Sequence, residues 1–291
     1  MKQLVVLSGK GGTGKTTIAS SFIRLADHKA FADCDVDAPN LDQIFDYGEA
    51  AEEQPFYGLK KAVKYDNICT GCGKCEELCR FGAIKNGRVN PYECEGCGVC
   101  EAFCPAKDKE GNTAIRLEER VSGKTKLYNN NNEVFSTAEL FMGSGASGRL
   151  VTEVRRNLYK AAGNQKYAII DGSPGIGCPV IASVTGANMV LIVAEPTVSG
   201  IHDMKRIVET SRRFGTKIAV CINKFDISKT NTSAIKRFCR DENIPIVGLI
   251  PFDSAVINAV NSGKTVVDYP ESVAGNAIRK IWKNVKKMLL S

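Results

Sequence analysis

Apolar runs, glycine loops and helical patterns alternate at the amino-terminal end of the chain. The apolar run at residues 4–7 predicts a buried parallel strand that ends at Ser8, and the glycine-rich residues 9–14 predict a tight loop. Apolar positions spaced along residues 16–28 predict a helix, and a short strand is expected to end near Cys34. This order of elements indicates the first part of an α/β fold.

The same alternation returns in the second half of the chain, where a helical pattern begins at Leu150. Strands and helices that follow one another in this way form a parallel sheet with helices on both faces. We therefore predict an α/β fold with a doubly wound, mostly parallel sheet. The predicted strands cover residues 167–171, 189–194, 217–222 and 246–250, and the predicted helices between them cover 200–214 and 232–242.

Between these two parts the composition changes to cysteine, glycine and charged residues, with only short apolar segments. The change predicts a discontinuous main domain, residues 1–55 and 114–291, and a small inserted α+β domain at residues 56–113. The polar residues 129–132 are interpreted as a loop or return linker.

A glycine loop with the pattern G-x-x-x-x-G-K-[ST] runs from Gly9 to Thr16. Its N–H groups can turn towards phosphates, and the following helix presents its positive end to the same anion. Lys15 is expected to reach the β- and γ-phosphates, and the Thr16 hydroxyl to bind Mg²⁺. A chance glycine turn is the alternative, but a strand before and a helix after the loop are the context that the motif requires. The predicted nucleotide-binding residues here are Gly11, Gly12, Thr13, Gly14, Lys15, Thr16 and Thr17.

A second lysine, Lys10, follows the first glycine, and this loop resembles the deviant Walker loop of the MinD, ParA and nitrogenase iron-protein group. The resemblance implies that Lys10 reaches the partner's nucleotide across an ATP-dependent homodimer. Residues 33–42 resemble the first switch of that group. By this match Asp35 orients the attacking water, Asp33 lies near the metal and Asn40 lies near the dimer interface. The alternative is that these polar residues only solvate a loop.

Residues 169–175 resemble the Walker B strand and second switch of the same group. Asp171 is then expected to hold Mg²⁺ through water, so Lys10, Lys15, Asp35 and Asp171 are the predicted catalytic residues. A base-reading loop is predicted at Asn223 and Asp226, with Pro251 and Asp253 lining the same base. Because Asn-Lys-x-Asp is also a guanine-reading pattern, the residues alone leave ATP and GTP open; the resemblance favours ATP.

Two runs of cysteines within the inserted segment repeat the spacing C-x₂-C-x₂-C-x₃-C. This doubled pattern resembles bacterial ferredoxins with two [4Fe–4S] clusters, in which the fourth cysteine of each run binds the other cluster. Zinc is the alternative, but it usually takes two separated cysteine pairs. Arg80 departs from the pattern, because proline usually follows the fourth cysteine. The predicted ligands are Cys69, Cys72, Cys75 and Cys104 for one cluster and Cys94, Cys97, Cys100 and Cys79 for the other.

Cys178 and the carboxyl-terminal helix each allow two interpretations. Cys178 lies seven residues after Asp171, where the nitrogenase iron protein has a ligand of its bridging cluster; a small buried residue at a helix start is the alternative. Ile278, Trp282 and Val285 share one face of a basic amphipathic helix. That helix resembles the membrane anchor of MinD, but packing on the sheet is the more common role.

The apolar runs, the cysteine content and the net charge limit the functions that this chain is expected to have. No apolar run reaches the ~20 residues that a membrane-spanning helix needs, and Met1 leads directly into a strand pattern, so a cytoplasmic location is expected. In that compartment, 12 cysteines favour metal or redox chemistry over disulfides. Much of the net charge of +7 lies in a basic block near the carboxyl terminus, so no nucleic-acid-binding face is expected.

The leading hypothesis is a slow, partner-stimulated ATPase whose nucleotide-driven dimerisation controls iron–sulfur cluster assembly or transfer to a redox or cluster-accepting protein. The combination of the two modules resembles MinD-superfamily ATPases with an inserted ferredoxin domain, and this resemblance covers nearly the whole chain. ATP-gated transfer of low-potential electrons is one alternative, and MinD- or ParA-like positioning at a membrane is another. An amide-forming enzyme of the cobyrinate-synthase group is disfavoured, because His28 and His202 lie near no nucleophile-elbow pattern.

Overall fold

The computed structural model describes residues 1–27, 29–45, 47–130 and 133–291. The strands, in chain order, are β1 (Lys2–Leu7), β2 (Ala30–Asp33), β3 (Glu52–Tyr57), β4 (Lys61–Lys64), β5 (Ile84–Lys85), β6 (Arg88–Val89), β7 (Ile115–Glu118), β8 (Val121–Asn130), β9 (Glu133–Leu140), β10 (Tyr167–Asp171), β11 (Met189–Ala194), β12 (Lys217–Asn223) and β13 (Ile246–Ile250). The helices are α1 (Lys15–Leu25), α2 (Lys74–Glu77), α3 (Val99–Ala102), α4 (Ser147–Ala161), α5 (Cys178–Val184), α6 (Val198–Arg213), α7 (Lys229–Asp241), α8 (Ala255–Asn261) and α9 (Val273–Leu290).

The chain divides into two compact units. The first comprises residues 1–53, 125–138 and 147–291, and the second comprises residues 54–124 and 139–146. The insertion predicted at 56–113 falls within the second unit, which extends beyond it on both sides.

The sheet of the first unit has the order β13-β12-β11-β1-β10-β2 and continues with the parts of β9 and β8 that belong to this unit, residues 133–138 and 125–130. Its neighbours from β13 to β9 pair in parallel. Strands β10 and β11 are buried along their whole length, as are residues 4–7 of β1, because these segments are largely apolar and are covered on both faces. The predicted α/β fold with a mostly parallel sheet is confirmed.

The register of the central strands brings two acidic residues together at one end of the sheet. Val6 of β1 is the partner of Asp171, and Asp171 is in turn the partner of Asp33. All these strands run in one direction, so their carboxyl ends meet at the same edge, where ligands of open α/β sheets bind. The loops after β1, β2, β10, β11 and β12 therefore converge there.

Two predicted segments, the loop at 129–132 and the helix at 16–28, differ from the observed structure. The stretch 129–132 was predicted as a loop or linker, but Asn129 and Asn130 belong to β8, whereas 131 and 132 lie outside the described residues. For Asn129 and Asn130 the prediction was wrong, because both are exposed polar residues at the end of a strand whose buried positions are partly filled by Ser122 and Thr125, so no apolar alternation marks it. The helix predicted at 16–28 is observed as α1, ending at Leu25; His28 lies outside the described residues.

The second unit consists of short elements around a small core. β4 and β7 pair antiparallel, as do β5 and β6, and β3 is the sheet neighbour of β8. Helices α2 and α3 each begin directly after a glycine with a left-handed backbone, Gly73 and Gly98. The buried core includes Ala62, Ala83, Ile84, Cys94 and Ile115, and further cysteines pack against it.

The carboxyl-terminal helix α9 packs into the core of the first unit. Trp282 is 4% exposed, and its ring lies 4.9 Å from that of Phe22 and 5.8 Å from that of Tyr167. The same face buries Ile278, Ile281, Val285 and Leu289. Packing thus accounts for the amphipathic pattern. Among the described helices, none is long and apolar enough to cross a membrane.

Replacing Trp282 with alanine is therefore expected to lower the free energy of unfolding by about 3–5 kcal/mol, because it leaves a cavity between α9 and α1. The exposed Lys283 on the opposite face supplies a matched control, since Lys283→Ala is expected to change that free energy by less than about 0.5 kcal/mol. Chemical denaturation monitored by circular dichroism measures both. Equal values for the two variants would contradict the core role of α9.

Candidate functional site

The loop between β1 and α1 lines a cavity of about 470 Å³ at the carboxyl edge of the sheet. Gly12 and Gly14 have left-handed backbones, with φ of 79° and 90°. A Cβ on Gly14 would stand 2.4 Å from Nδ2 of Asn223, so a larger residue would displace that side chain and would also strain the left-handed backbone. The predicted site residues that line the cavity are Lys10, Gly11, Gly12, Gly14, Lys15, Thr16, Thr17, Asp35, Asn40, Asn223, Pro251 and Asp253. Thr13 is buried beside them.

Lys15, Thr16 and Asp171 form a connected group beneath the phosphate loop. Lys15 Nζ lies 2.7 Å from Asp171 Oδ1, and the Thr16 hydroxyl donates to Asp171 Oδ2 at 2.6 Å. Asp35 Oδ2 lies 3.8 Å from Lys15 Nζ. Burial lowers the pKa of Lys15, but Asp171, Asp33 and Asp35 together outweigh it and raise that pKa, so the side chain stays charged.

This donor set fits a magnesium nucleotide. A hydroxyl and a carboxylate are oxygen ligands of the kind that Mg²⁺ prefers, and a charged lysine next to a glycine loop suits a phosphate. Burial raises the pKa of Asp35, and this effect outweighs the opposing charge of Lys15.

Asp33 holds the first-switch loop from below. Its Oδ1 accepts from the main-chain N–H of Asp35 at 3.0 Å, and its Oδ2 accepts from those of Asn40 and Leu41 at 2.9 and 3.0 Å. Burial, followed by the charge of Asp171, raises the pKa of Asp33. Neither Asp33 nor Asp171 lines the cavity itself, but Asp171 contacts Lys15 and Thr16, which do, whereas the hydrogen bonds of Asp33 are those of a loop anchor.

The predicted base-reading residues are only partly brought together. Asn223 Nδ2 donates to the main-chain oxygen of Thr13 at 2.7 Å, which ties β12 to the phosphate loop. Asp226 does not line the cavity, and its Oδ1 accepts from the main-chain N–H of Phe252 at 2.9 Å. The Asp253 carboxylate accepts from the Ser272 hydroxyl at 2.6 Å and from the N–H of Ala274, so it caps α9.

Glu195 is a site residue that the sequence analysis missed. Its Oε1 lies 2.8 Å from Lys224 Nζ, and its Oε2 lies 3.4 Å from Lys10 Nζ. Lys224 also donates to the main-chain oxygen of Gly12 at 3.3 Å. Burial acts to raise the pKa of Glu195, but Lys224 and Lys10 outweigh it and lower that pKa. The sequence signal that could have identified Glu195 as a site residue is its position directly after the apolar strand 189–194, because ligands bind at the carboxyl ends of such strands.

The second unit gathers its cysteines around two separate cavities. The first is lined by Cys69, Cys72, Cys75 and Cys104, and the second by Cys79, Cys94, Cys97 and Cys100. Main-chain N–H groups of Gly71 and Ala62 donate to Cys69 Sγ and Cys94 Sγ, each at 3.4 Å. Burial raises the pKa of Cys75, and that of Cys100 to about 11. Within the described ranges, no three acidic, histidine or cysteine side chains converge as they would around a single metal ion.

The remaining cysteines differ in their exposure. Cys34, Cys221 and Cys239 are buried, and burial raises the pKa of Cys221 to about 12 and that of Cys239 to about 11. Cys178 begins α5 and is exposed, so its interpretation as a small buried residue at a helix start was wrong in respect of burial. Its role as a bridging ligand stays a prediction.

Known proteins resemble the chain over nearly its whole length. Residues 4–266 match the family model described as CobQ/CobB/MinD/ParA nucleotide binding domain. An uncharacterised protein of Methanocaldococcus jannaschii is 29% identical over 99% of this chain and 97% of its own length. The septum site-determining protein MinD of Bacillus subtilis is 22% identical over 97% of this chain and 88% of its own length.

Among solved structures, MinD of Pyrococcus horikoshii complexed with Mg-ADP matches with a TM-score of 0.61 at 17% identity, covering 99% of this chain and 96% of that one. This likeness shows a common P-loop fold. Together with the family match over residues 4–266, it identifies the chain as a member of the CobQ/CobB/MinD/ParA nucleotide-binding family.

Proposed function

We propose that this protein is an ATP-hydrolysing switch that dimerises when it binds ATP and Mg²⁺. The observation that carries the proposal is the group of Lys15, Thr16 and Asp171 beneath a glycine loop at the carboxyl edge of the sheet. The related MinD and ParA proteins are nucleotide-hydrolysing P-loop ATPases, and a MinD structure holds Mg-ADP. Hydrolysis is slow and stimulated by a partner protein.

In the proposed reaction each side chain has one task. The N–H groups of the glycine loop and Lys15 bind the phosphates and neutralise the charge that develops on the γ-phosphate. Asp35 would orient the attacking water. Thr16 and Asp171 would hold a Mg²⁺ ion, which would supply positive charge to neutralise the phosphates. Lys10 breaks its ion pair with Glu195 and reaches the nucleotide of the partner subunit. Asn223 and Pro251 contact the base.

We further propose that the second unit binds two [4Fe–4S] clusters. Four thiols around each of two cavities form the donor set of such clusters, and N–H groups donate to two of the sulfur atoms. A cubane binds each thiolate at a different iron atom, so its ligands stand farther apart than those of one ion. The lack of a single-ion site among the described residues therefore does not oppose cluster binding.

The two activities are proposed to act together. In the chain order, the cysteine segment lies between the first switch at Asp35 and the second at Asp171. Contacts that the γ-phosphate makes with both switches shift a conformational equilibrium, and this shift controls cluster assembly or transfer to a redox or cluster-accepting protein. Gated transfer of low-potential electrons through the same clusters is the alternative chemistry.

A second candidate function is MinD-like spatial positioning. The comparisons favour it more directly than iron–sulfur chemistry, because several relatives are named septum site-determining proteins. One observation opposes a membrane anchor at the carboxyl terminus: the apolar face of α9 is buried in the core. Positioning would then depend on another surface of the molecule.

Two sedimentation experiments are needed: the first tests the switch, and the second, with liposomes, separates the two candidates. Anaerobically purified protein is expected to be monomeric with ADP and dimeric with a non-hydrolysable ATP analogue. Lys10→Ala is expected to prevent dimerisation, and Lys236→Ala, at an exposed position of α7, is expected to leave it unchanged. No shift between nucleotides would contradict the switch. Nucleotide-dependent pelleting with anionic liposomes would favour positioning over cluster chemistry.

A further inference from the structure

One lysine of the second unit is buried and has no acidic partner among the residues that the structure describes. Lys61, the first residue of β4, is 5% exposed, and its Nζ donates to the main-chain oxygen of Cys94 at 2.6 Å. Within the part of the chain that the structure describes, no carboxylate forms an ion pair with this Nζ. Lysine is almost never buried unless its charge is paired. The position of Lys61 therefore indicates a negative group beside Cys94.

The main chain fixes Lys61 next to one of the two cysteine-lined cavities. The adjacent residue Ala62 lines the cavity of Cys94 and donates its N–H to Cys94 Sγ at 3.4 Å. A Cβ on Gly96, in the loop that carries Cys94 and Cys97, would stand 2.3 Å from the main-chain oxygen of Lys60. The cysteine loop thus lies directly on the chain that leads into Lys61.

The other charged groups that line the two cavities are exposed or paired. Lys64 and Lys74 line the first cavity, but Lys64 pairs with Asp66 at 2.9 Å, and Lys74 is exposed. Glu95 lines the second cavity and is also exposed. Solvent and salt screen exposed charges much more than buried ones. Of these groups, Lys61 is the buried cation without a counter-charge, so its field acts mainly on the second cavity.

We propose that Lys61 raises the reduction potential of the cluster held by Cys79, Cys94, Cys97 and Cys100. This inference rests on the proposed binding of two clusters. Reduction adds one electron from a low-potential donor to the cluster, with no bond made or broken and no proton taken up. The added negative charge is stabilised by a nearby ammonium, so the reduced form gains more than the oxidised form. Each cluster is held by four cysteines, and Lys61 thus gives the two clusters different reduction potentials.

The test is an EPR-monitored redox titration of the full-length, anaerobically purified protein. Lys61→Gln keeps a donor for the Cys94 oxygen but removes the charge. It is expected to lower the equilibrium constant for reducing one cluster at least tenfold, which corresponds to about 59 mV for one electron. Lys74→Gln, at the exposed lysine of the other cavity, is the matched control and is expected to shift neither potential by that amount. Lys61→Arg is expected to retain the wild-type potentials.

Iron and sulfide analysis of the same samples separates the failure of this inference from that of the proposed function. Wild-type protein without iron, or without a cubane EPR signal, would overturn the cluster proposal itself. Full iron with unchanged potentials in Lys61→Gln would overturn only the role of Lys61. If Lys61→Gln assembles no cluster, Lys61→Arg still tests the inference. A tenfold fall in the equilibrium constant for reduction in that variant, which retains the positive charge, would contradict an electrostatic effect.

Discussion

Replacing Lys15 with methionine is expected to reduce the rate of ATP hydrolysis by about 100- to 1,000-fold. The Lys15 ammonium lies in the phosphate cavity, where it would neutralise charge that grows on the γ-phosphate in the transition state. Charge stabilisation of this kind cannot be supplied by a thioether of similar length. Phosphate release under anaerobic conditions measures the effect, with Lys236→Met on the exposed face of α7 as the control of unchanged rate.

The same substitution also has a structural effect, which must be separated from the catalytic one. Lys15 is 6% exposed and Asp171 is fully buried, so removal of the lysine leaves an unpaired carboxylate and is expected to cost about 3–5 kcal/mol of folding free energy. The double variant Lys15→Met/Asp171→Asn is expected to recover most of this stability but none of the activity. Near wild-type turnover in either variant would show that hydrolysis does not depend on this site.

Replacing Cys72 with serine is expected to remove one of two iron–sulfur clusters and about half of the bound iron, because a cubane needs all four thiolates of its set. Cys72 is exposed and lines the first cavity with Cys69, Cys75 and Cys104, so the change should disturb little else. Iron and sulfide content after anaerobic purification, together with the EPR signal of the reduced protein, measures the loss.

The control for this experiment is Cys178→Ser in nucleotide-free protein, because Cys178 is equally an exposed cysteine but lies in the first unit. It is expected to keep all of the iron. Unchanged iron in Cys72→Ser would contradict the assignment of the first ligand set. Zinc in place of iron in the wild-type protein would exclude clusters altogether.

Local patterns along the chain were sufficient to predict the elements whose sequence matches their environment. The strands predicted at 167–171, 189–194 and 246–250 coincide with β10, β11 and β13, since each is an almost continuous apolar run, the pattern typical of strands in a covered parallel sheet. The phosphate loop was predictable for a similar reason, because its glycines and Lys15 act through local backbone geometry. β8 was not predictable, since its buried side is partly polar.

Contacts between distant segments were decided only by the tertiary structure. Asp226 follows a recognisable pattern, yet its carboxylate accepts from the N–H of Phe252, a pairing that depends on the register of β12 and β13. Glu195 and Lys61 stand in no motif; each matters because folding places its charge in a buried site beside residues far away in sequence. The sequence by itself thus determined which chemical groups are present and which elements they belong to. Their partners, and the burial that sets the strength of their charges, were determined by long-range packing of the sheet and of the small core around the cysteines.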